Sequence, residues 1–205
     1  MIRNIVTVLL IMAVSQSAFA QTDSAAANKI RHGISVGSFV SGVPGYPYYL
    51  VSYSISKGRN RVLIGPVFGE KGGGYQGYSG GTNISLQNTS FFKGLSGVYQ
   101  FFPNPSGKRY DLFFQYEATW QYFNYDGINT GSANWITIPN YSSSWYLGQY
   151  VGYGLRVRFL KNCEITHIIG LGNLTGRYTI KGMNSKSIGD VLSGNTRLSL
   201  SYTFR

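Results

Sequence analysis

Residues 144–160 alternate apolar residues with small or polar ones for longer than a strand of a soluble protein normally does. Successive side chains on a strand point to opposite faces. One face carries Trp145, Leu147, Gln149, Val151, Tyr153, Leu155, Val157 and Phe159, and the other carries Tyr146, Gly148, Tyr150, Gly152, Gly154, Arg156 and Arg158. A strand that crosses a bilayer needs about 9–11 residues. The pattern predicts a strand with lipid on its apolar side and a polar lumen on the other.

The same alternation recurs along most of the chain. It predicts eight strands, at residues 30–41, 48–56, 60–69, 91–102, 110–123, 144–160, 164–175 and 197–204. Short connections at 57–60, 103–108 and 161–163 alternate with long ones at 70–90, 124–143 and 176–195, although the connection at 42–47 is short. Bacterial outer-membrane barrels have short periplasmic turns and longer external loops. The sequence therefore predicts an all-β fold, a closed antiparallel eight-stranded transmembrane β-barrel at residues 30–205.

The first residues have the pattern of an export signal. Arg3 supplies a positive charge, residues 5–14 are apolar apart from Thr7, and Ala18-Phe19-Ala20 offers small residues to a signal peptidase. This predicts a signal peptide at residues 1–20 and an N-terminal periplasmic segment at residues 21–29.

A soluble lipocalin-like binding protein is the competing fold. Its strands would turn the apolar face toward a core and the polar face toward water. The chain has 27 glycines, and only 12% of its residues are charged. A polar face with so many glycines and so few charges is a poor solvated exterior, but it suits the narrow interior of an eight-stranded barrel.

Three segments carry a resemblance to a known group. They are Ala18-Phe19-Ala20-Gln21, the Gly-Val-Tyr-Gln-Phe-Phe-Pro-Asn stretch at residues 97–104, and the closing Leu-Ser-Leu-Ser-Tyr-Thr-Phe-Arg at residues 198–205. The chain resembles small outer-membrane β-barrels of the porin-like superfamily, in the style found in Bacteroidetes-type bacteria. The resemblance implies a place in the Gram-negative outer membrane. Members include adhesins, anchors, enzymes and narrow pores, so it implies no activity. Such proteins usually end in an aromatic residue read by the barrel-assembly machinery, whereas here Arg205 follows Phe204.

The net charge of +11 raises the question of nucleic acid as a partner. The basic residues are scattered and do not form a stripe with stacking aromatic residues, which argues against nucleic acid. Interactions with lipid phosphates and lumen carboxylates explain these basic residues better than nucleic-acid binding does. The expected partners are outer-membrane lipids, the barrel-assembly machinery during biogenesis and other envelope proteins.

Charged residues on the lumen face predict an internal ion network. Asp111 and Glu117 share the lumen face of the fifth strand, and Arg156 and Arg158 share that of the sixth. If these strands form a hairpin, Asp111 lies opposite Arg156. Charges in a narrow lumen are costly unless paired. Further candidates for the network are Arg31, Arg61 and Arg197.

Aromatic residues near strand ends predict the girdles that hold a barrel at the two membrane interfaces. The predicted girdle residues are Tyr49, Tyr110, Trp120, Tyr122, Trp145 and Phe204.

The sequence offers little for enzymatic or metal chemistry. The two histidines, His32 and His167, fall at the predicted periplasmic end, away from the external rim where lipopolysaccharide lies. Together with Cys163 they have no recognisable metal-ligand spacing. No catalytic, cofactor or metal-binding residue is predicted.

The expected function is a structural or surface-interaction role in the outer membrane, including that of a subunit in an envelope assembly. Tyrosines in long Gly-, Ser- and Asn-rich loops suit adaptable recognition. A narrow anion-preferring pore is an alternative, because lumen arginines outnumber lumen acids. The other two alternatives are a lipid-modifying enzyme and the soluble lipocalin-like binding protein.

Overall fold

The computed structural model describes residues 29–41, 47–71, 74–79, 82–103, 109–129, 142–180 and 186–204. It describes no side chains for residues 74–79, 82–88, 125–129, 142, 178, 180 and 186–189. The predicted signal peptide and all but the last residue of the 21–29 segment lie outside these ranges. Within them, no helix has the length and hydropathy needed to cross a membrane.

Ten antiparallel strands form one sheet. They are β1 (Arg31–Ser41), β2 (Tyr48–Lys57), β3 (Asn60–Gly69), β4 (Gly74–Ser79), β5 (Thr82–Asn88), β6 (Phe92–Phe101), β7 (Tyr110–Asn129), β8 (Ser142–Arg158), β9 (Cys163–Ile180) and β10 (Lys186–Phe204). The ring runs β1-β2-β3-β6-β7-β8-β9-β10, and β10 pairs with β1 to close it. The prediction of a closed eight-stranded barrel is confirmed.

The register fixes the stagger of the barrel wall. A path that starts at Arg31 and steps from each residue to its partner on the next strand returns to β1 at Ser41. The offset between start and end is ten residues. The intermediate residues are Ser56, Arg61, Gln100, Gln115, Gly152, Gly170 and Asn195. Closing a barrel with such a stagger tilts its strands, typically by about 35–45°.

The two ends of the barrel differ. One end, the turn end, has the two-residue turn Gly58-Arg59, the connections after β6 and β8, and the start of β1 and end of β10. Gly58 has a φ of 58°, which glycine adopts without steric penalty. At the other end, the loop end, β7 to β10 extend beyond the last β1–β10 pair, Ser41 with Asn195.

The loop end contains more strand than the sequence indicated. The predicted loop 70–90 holds the hairpin β4–β5, and β5 pairs with the upper part of β7. The predicted loops 124–143 and 176–195 are also partly strand, because β7 ends at Asn129, β9 ends at Ile180 and β10 begins at Lys186. Backbone pairing between these long strands outweighs the weak strand propensity of their glycines, serines and asparagines.

The outer face of the ring is apolar. Leu112, Ile64 and Val151 are more than half exposed, and their neighbours on the same face are similar. The lumen face carries buried serines, threonines, glutamines and charged residues instead. This is the reverse of a soluble barrel, so the soluble alternative does not fit. An exterior of this kind suits lipid.

Candidate functional site

The lumen near the turn end is crossed by a charged cluster, the turn-end cluster, of Arg61, Asp111, Arg156, Arg158 and Glu164. Arg156 Nη2 and Nε lie 2.6 and 3.1 Å from Asp111 Oδ2. Arg158 Nη2 approaches the same oxygen at 2.8 Å. Arg61 bonds Glu164 Oε1, and Arg156 Nη1 lies 3.8 Å from Glu164 Oε2. Two carboxylates thus hold three guanidinium groups across β3, β7, β8 and β9.

Aromatic side chains support this cluster. The guanidinium carbon of Arg156 lies 3.8 Å from the centroid of the Phe102 ring, a cation–π distance. Phe102 packs on Phe113 at 5.0 Å between centroids, and both belong to a buried group with Ile168. Arg156 is therefore held between an aromatic ring and two carboxylates.

A second cluster, the central cluster, surrounds Glu117, which is fully buried. Its Oε1 accepts hydrogen bonds from Arg197, from Ser96 at 3.3 Å and from Thr119 at 2.9 Å. Its Oε2 accepts from Gln115 and Asn195, each at 3.1 Å. A carboxylate with this many donors is compensated for its loss of hydration.

The loop end of the lumen is filled by the mouth cluster of Phe39, Tyr48, Leu50, Val67 and Phe123, with Tyr146 packed against it. Phe39 and Tyr48 lie 5.1 Å apart, and Phe123 and Tyr146 lie 5.6 Å apart. Lys93 is buried here, donates to the carbonyl oxygen of Ser90 and lies 5.7 Å from the Phe123 centroid.

The structure brings together most of the predicted lumen residues. Asp111 contacts Arg156 and Arg158, as the hairpin register implied. Glu117 pairs with Arg197 of β10, and of the further candidates Arg61 also joins an ion pair. Arg31 lies exposed at the start of β1.

Two features of the lumen were missed. Glu164 was not assigned to the lumen, because the apolar Ile168 and Leu174 share its face and obscure which face is which. The mouth cluster was not assigned either, although Phe39, Tyr48 and Phe123 stand out as aromatic residues on an otherwise small and polar face.

The predicted girdle residues all lie on the outer face. Tyr110 and Phe204 are near the turn end, and Tyr49, Trp120, Tyr122 and Trp145 are nearer the loop end. Trp120 and Tyr122 stack at 6.4 Å, and Tyr122 pairs across the strands with Trp145. Their role at membrane interfaces stays a prediction.

The histidines also lie on the outer face. His32 Nδ1 is 2.5 Å from the Tyr53 hydroxyl, and its ring stacks on Phe204. His167 Nε2 is 3.3 Å from Thr196 Oγ1. Neither contacts a carboxylate among the described residues, and no group of three or more His, Cys, Asp and Glu in those ranges could hold a metal ion.

Solved structures with a similar fold are outer-membrane proteins. A major outer membrane protein from Thermus thermophilus superposes with a TM-score of 0.53 over 86% of this chain and 100% of that chain, at 12% sequence identity. Neisserial surface protein A superposes with a TM-score of 0.41 over 85% and 96%, at 14% identity. No protein-family description and no curated protein matches the sequence. At 12% identity the likeness to the Thermus protein shows the fold, which is that of an outer-membrane β-barrel.

Proposed function

We propose that the protein is a sealed outer-membrane barrel with a structural or surface-interaction role, including that of a subunit in an envelope assembly. The observation that carries the proposal is the filled lumen. Two ion-paired clusters and an aromatic cluster follow one another from the turn end to the loop end. An eight-stranded barrel has an interior that side chains just fill, and paired charges held by further hydrogen bonds resist displacement by passing ions.

The loop end supports the interaction part of the proposal. β4 pairs with β5 on one side, and no described strand pairs with its other edge. An open strand edge can accept an extended segment of another chain. Tyr75 and Tyr78 belong to β4, whereas Trp135 and Tyr141, which also lie in predicted outer loops, are outside the described residues.

Planar-bilayer recording tests whether the filled lumen blocks the passage of ions. The wild-type barrel should give no steady current, and removal of the central ion pair in Glu117→Ala/Arg197→Ala should admit ions. Glu70→Ala/Lys71→Ala is the matched control, because it removes one acid and one base that are exposed at the loop end. A steady wild-type current would overturn the proposal.

A narrow anion-preferring pore is the second candidate, favoured by the charge balance of the lumen. Five buried or half-buried cations face three carboxylates there: Arg61, Lys93, Arg156, Arg158 and Arg197 against Asp111, Glu117 and Glu164. A wild-type current with anion selectivity, lost in Arg156→Ala, would support the pore.

A photo-crosslinker at position 78 tests the interaction role. In native membranes it should capture a defined partner, whereas a crosslinker at the exposed Leu160 of the turn end should not. Equal capture at both positions would argue against a loop-end interaction.

A further inference from the structure

The turn end of the barrel carries a ring of basic side chains, here called the basic rim. Its members are Lys29, Arg31, Lys57, Arg59, Arg109 and Lys161. All are exposed except Arg59, which is half-buried.

Among the described residues, no exposed acid lies at the turn end. The acids near the turn end, Asp111 and Glu164, are buried in the lumen and engaged by Arg61, Arg156 and Arg158. The exposed acids Glu70 and Asp190 lie at the loop end. Ion pairing inside the barrel thus leaves the turn end with a concentrated positive potential.

The rim surrounds the barrel. Lys29 precedes β1 and Arg31 begins it, Lys57 ends β2 and Arg59 lies in the β2–β3 turn, Arg109 precedes β7, and Lys161 follows β8. These four positions are spread around the ring of strands. A protein partner would contact one side, whereas a lipid leaflet meets the whole circumference.

Exposed apolar side chains lie next to the rim in the chain. Arg109 lies 5.8 Å from the centroid of the Tyr110 ring, and Tyr110, Phe159 and Leu160 are all exposed. Cations at the boundary of an apolar belt lie at the depth of lipid headgroups, where long side chains can reach phosphates.

We infer that the basic rim binds the phosphate groups of anionic phospholipids in the periplasmic leaflet, so that the barrel gathers such lipids around its turn end. This rests on the proposed membrane location. The inference goes beyond that location because it names a lipid class and the residues that select this class.

Native mass spectrometry tests the inference. The folded protein in a zwitterionic detergent is mixed with equal amounts of phosphatidylglycerol and phosphatidylcholine that have the same acyl chains, and the lipid adducts are counted. Wild type should favour phosphatidylglycerol about fivefold, the preference that one well-placed cation at a membrane surface typically provides. The variant Lys57→Gln/Arg109→Gln/Lys161→Gln removes three of the six rim cations and should show a clearly smaller preference than wild type.

The matched control is Lys71→Gln/Arg177→Gln, which removes exposed cations at the loop end. It should keep the wild-type preference. Equal binding of both lipids by wild type, or an undiminished preference in the rim variant, would overturn the inference. Rim-dependent retention on immobilised polyglutamate without any lipid preference would also overturn it, in favour of an acidic polymer.

The mobility of unheated protein on a detergent gel shows whether each variant has folded. If the rim variant does not fold, wild type is measured in about 0.1 M and about 0.5 M salt, because screening should remove a headgroup interaction. A preference unchanged by salt would overturn the inference. A folded, non-conducting barrel without lipid preference would contradict the lipid site alone and leave the proposed function standing.

Discussion

Asp111 on β7 and Arg156 on β8 are direct cross-strand partners, and 2.6 Å separates Asp111 Oδ2 from Arg156 Nη2. Asp111→Asn removes the carboxylate that both Arg156 and Arg158 contact. Breaking a buried ion pair by changing one partner typically costs about 3–5 kcal/mol, because the other charge stays buried. We expect the free energy of unfolding to fall by about that amount, measured by urea titration in lipid vesicles with tryptophan fluorescence.

Glu70→Gln is the control for this prediction, since Glu70 is an exposed acid at the loop end. It should change the free energy of unfolding by no more than about 0.5 kcal/mol. Equal effects of the two substitutions would contradict a stabilising role for the turn-end cluster.

Glu117 and Arg197 should be energetically coupled across the lumen. Glu117→Leu and Arg197→Met are each expected to cost about 3–5 kcal/mol. The double variant should cost less than the sum by at least about 0.5 kcal/mol, because no unpaired charge remains. It should still be less stable than wild type, since Ser96, Thr119, Gln115 and Asn195 lose their acceptor. Strictly additive losses in urea titration would contradict the coupling.

The loss of stability caused by a charge on the outer face should depend on how deep in the bilayer the charge lies. Leu198 faces outward at a position where β10 pairs with both β1 and β9. Leu198→Arg should cost about 2–4 kcal/mol in a bilayer. Leu192 also faces outward on β10 but lies beyond the last β1–β10 pair, so Leu192→Arg should cost about 0–1 kcal/mol. If both substitutions lower the free energy of unfolding in vesicles equally, the edge of the hydrocarbon does not lie between Leu198 and Leu192.

The lumen should not accept larger side chains at its glycines. A Cβ atom at Gly154 would meet the Phe113 ring and would lie 2.8 Å from the carbonyl oxygen of His167. Gly154→Val should therefore destabilise the barrel by about 1–3 kcal/mol. Gly97 lies outward with open space at its Cβ position, so Gly97→Val is the control and should be close to neutral. Thermal loss of the fast-migrating gel form measures both, and a Gly154→Val barrel as heat-resistant as Gly97→Val would contradict a tightly packed lumen.

The alternation of side chains predicted the eight-stranded ring, because every strand of a barrel in lipid needs one apolar and one polar face. β7 is the clearest case, since Leu112, Phe114 and Trp120 face outward while Asp111 and Glu117 face inward. Alternation also brought Asp111 and Arg156 together, because hairpin register follows from the pairing of two neighbouring strands. Glu164 was missed because Ile168 and Leu174 also face the lumen while His167 faces outward, which blurs the alternation of β9.

The loop end could not be predicted in the same way. No alternation marks the upper part of β10 at residues 186–194 or β4, and that of β5 is limited to Ile84 and Leu86. The sequence also named Arg197 only as one of three further candidates for the ion network and could not assign it to Glu117. Arg197 lies 80 residues further along the chain, and a contact across the lumen depends on the closed ring and not on any local pattern.

The seam between β1 and β10 joins the first and last strands of the chain through ten residue pairs, from His32 with Phe204 to Ser41 with Asn195. A ribosome-bound chain therefore cannot complete the cylinder until β10 has been synthesised. Before that moment both β1 and the most recently made strand present bare hydrogen-bonding edges, which invite aggregation. This connectivity therefore favours export of the polypeptide with an open barrel that closes only at its destination.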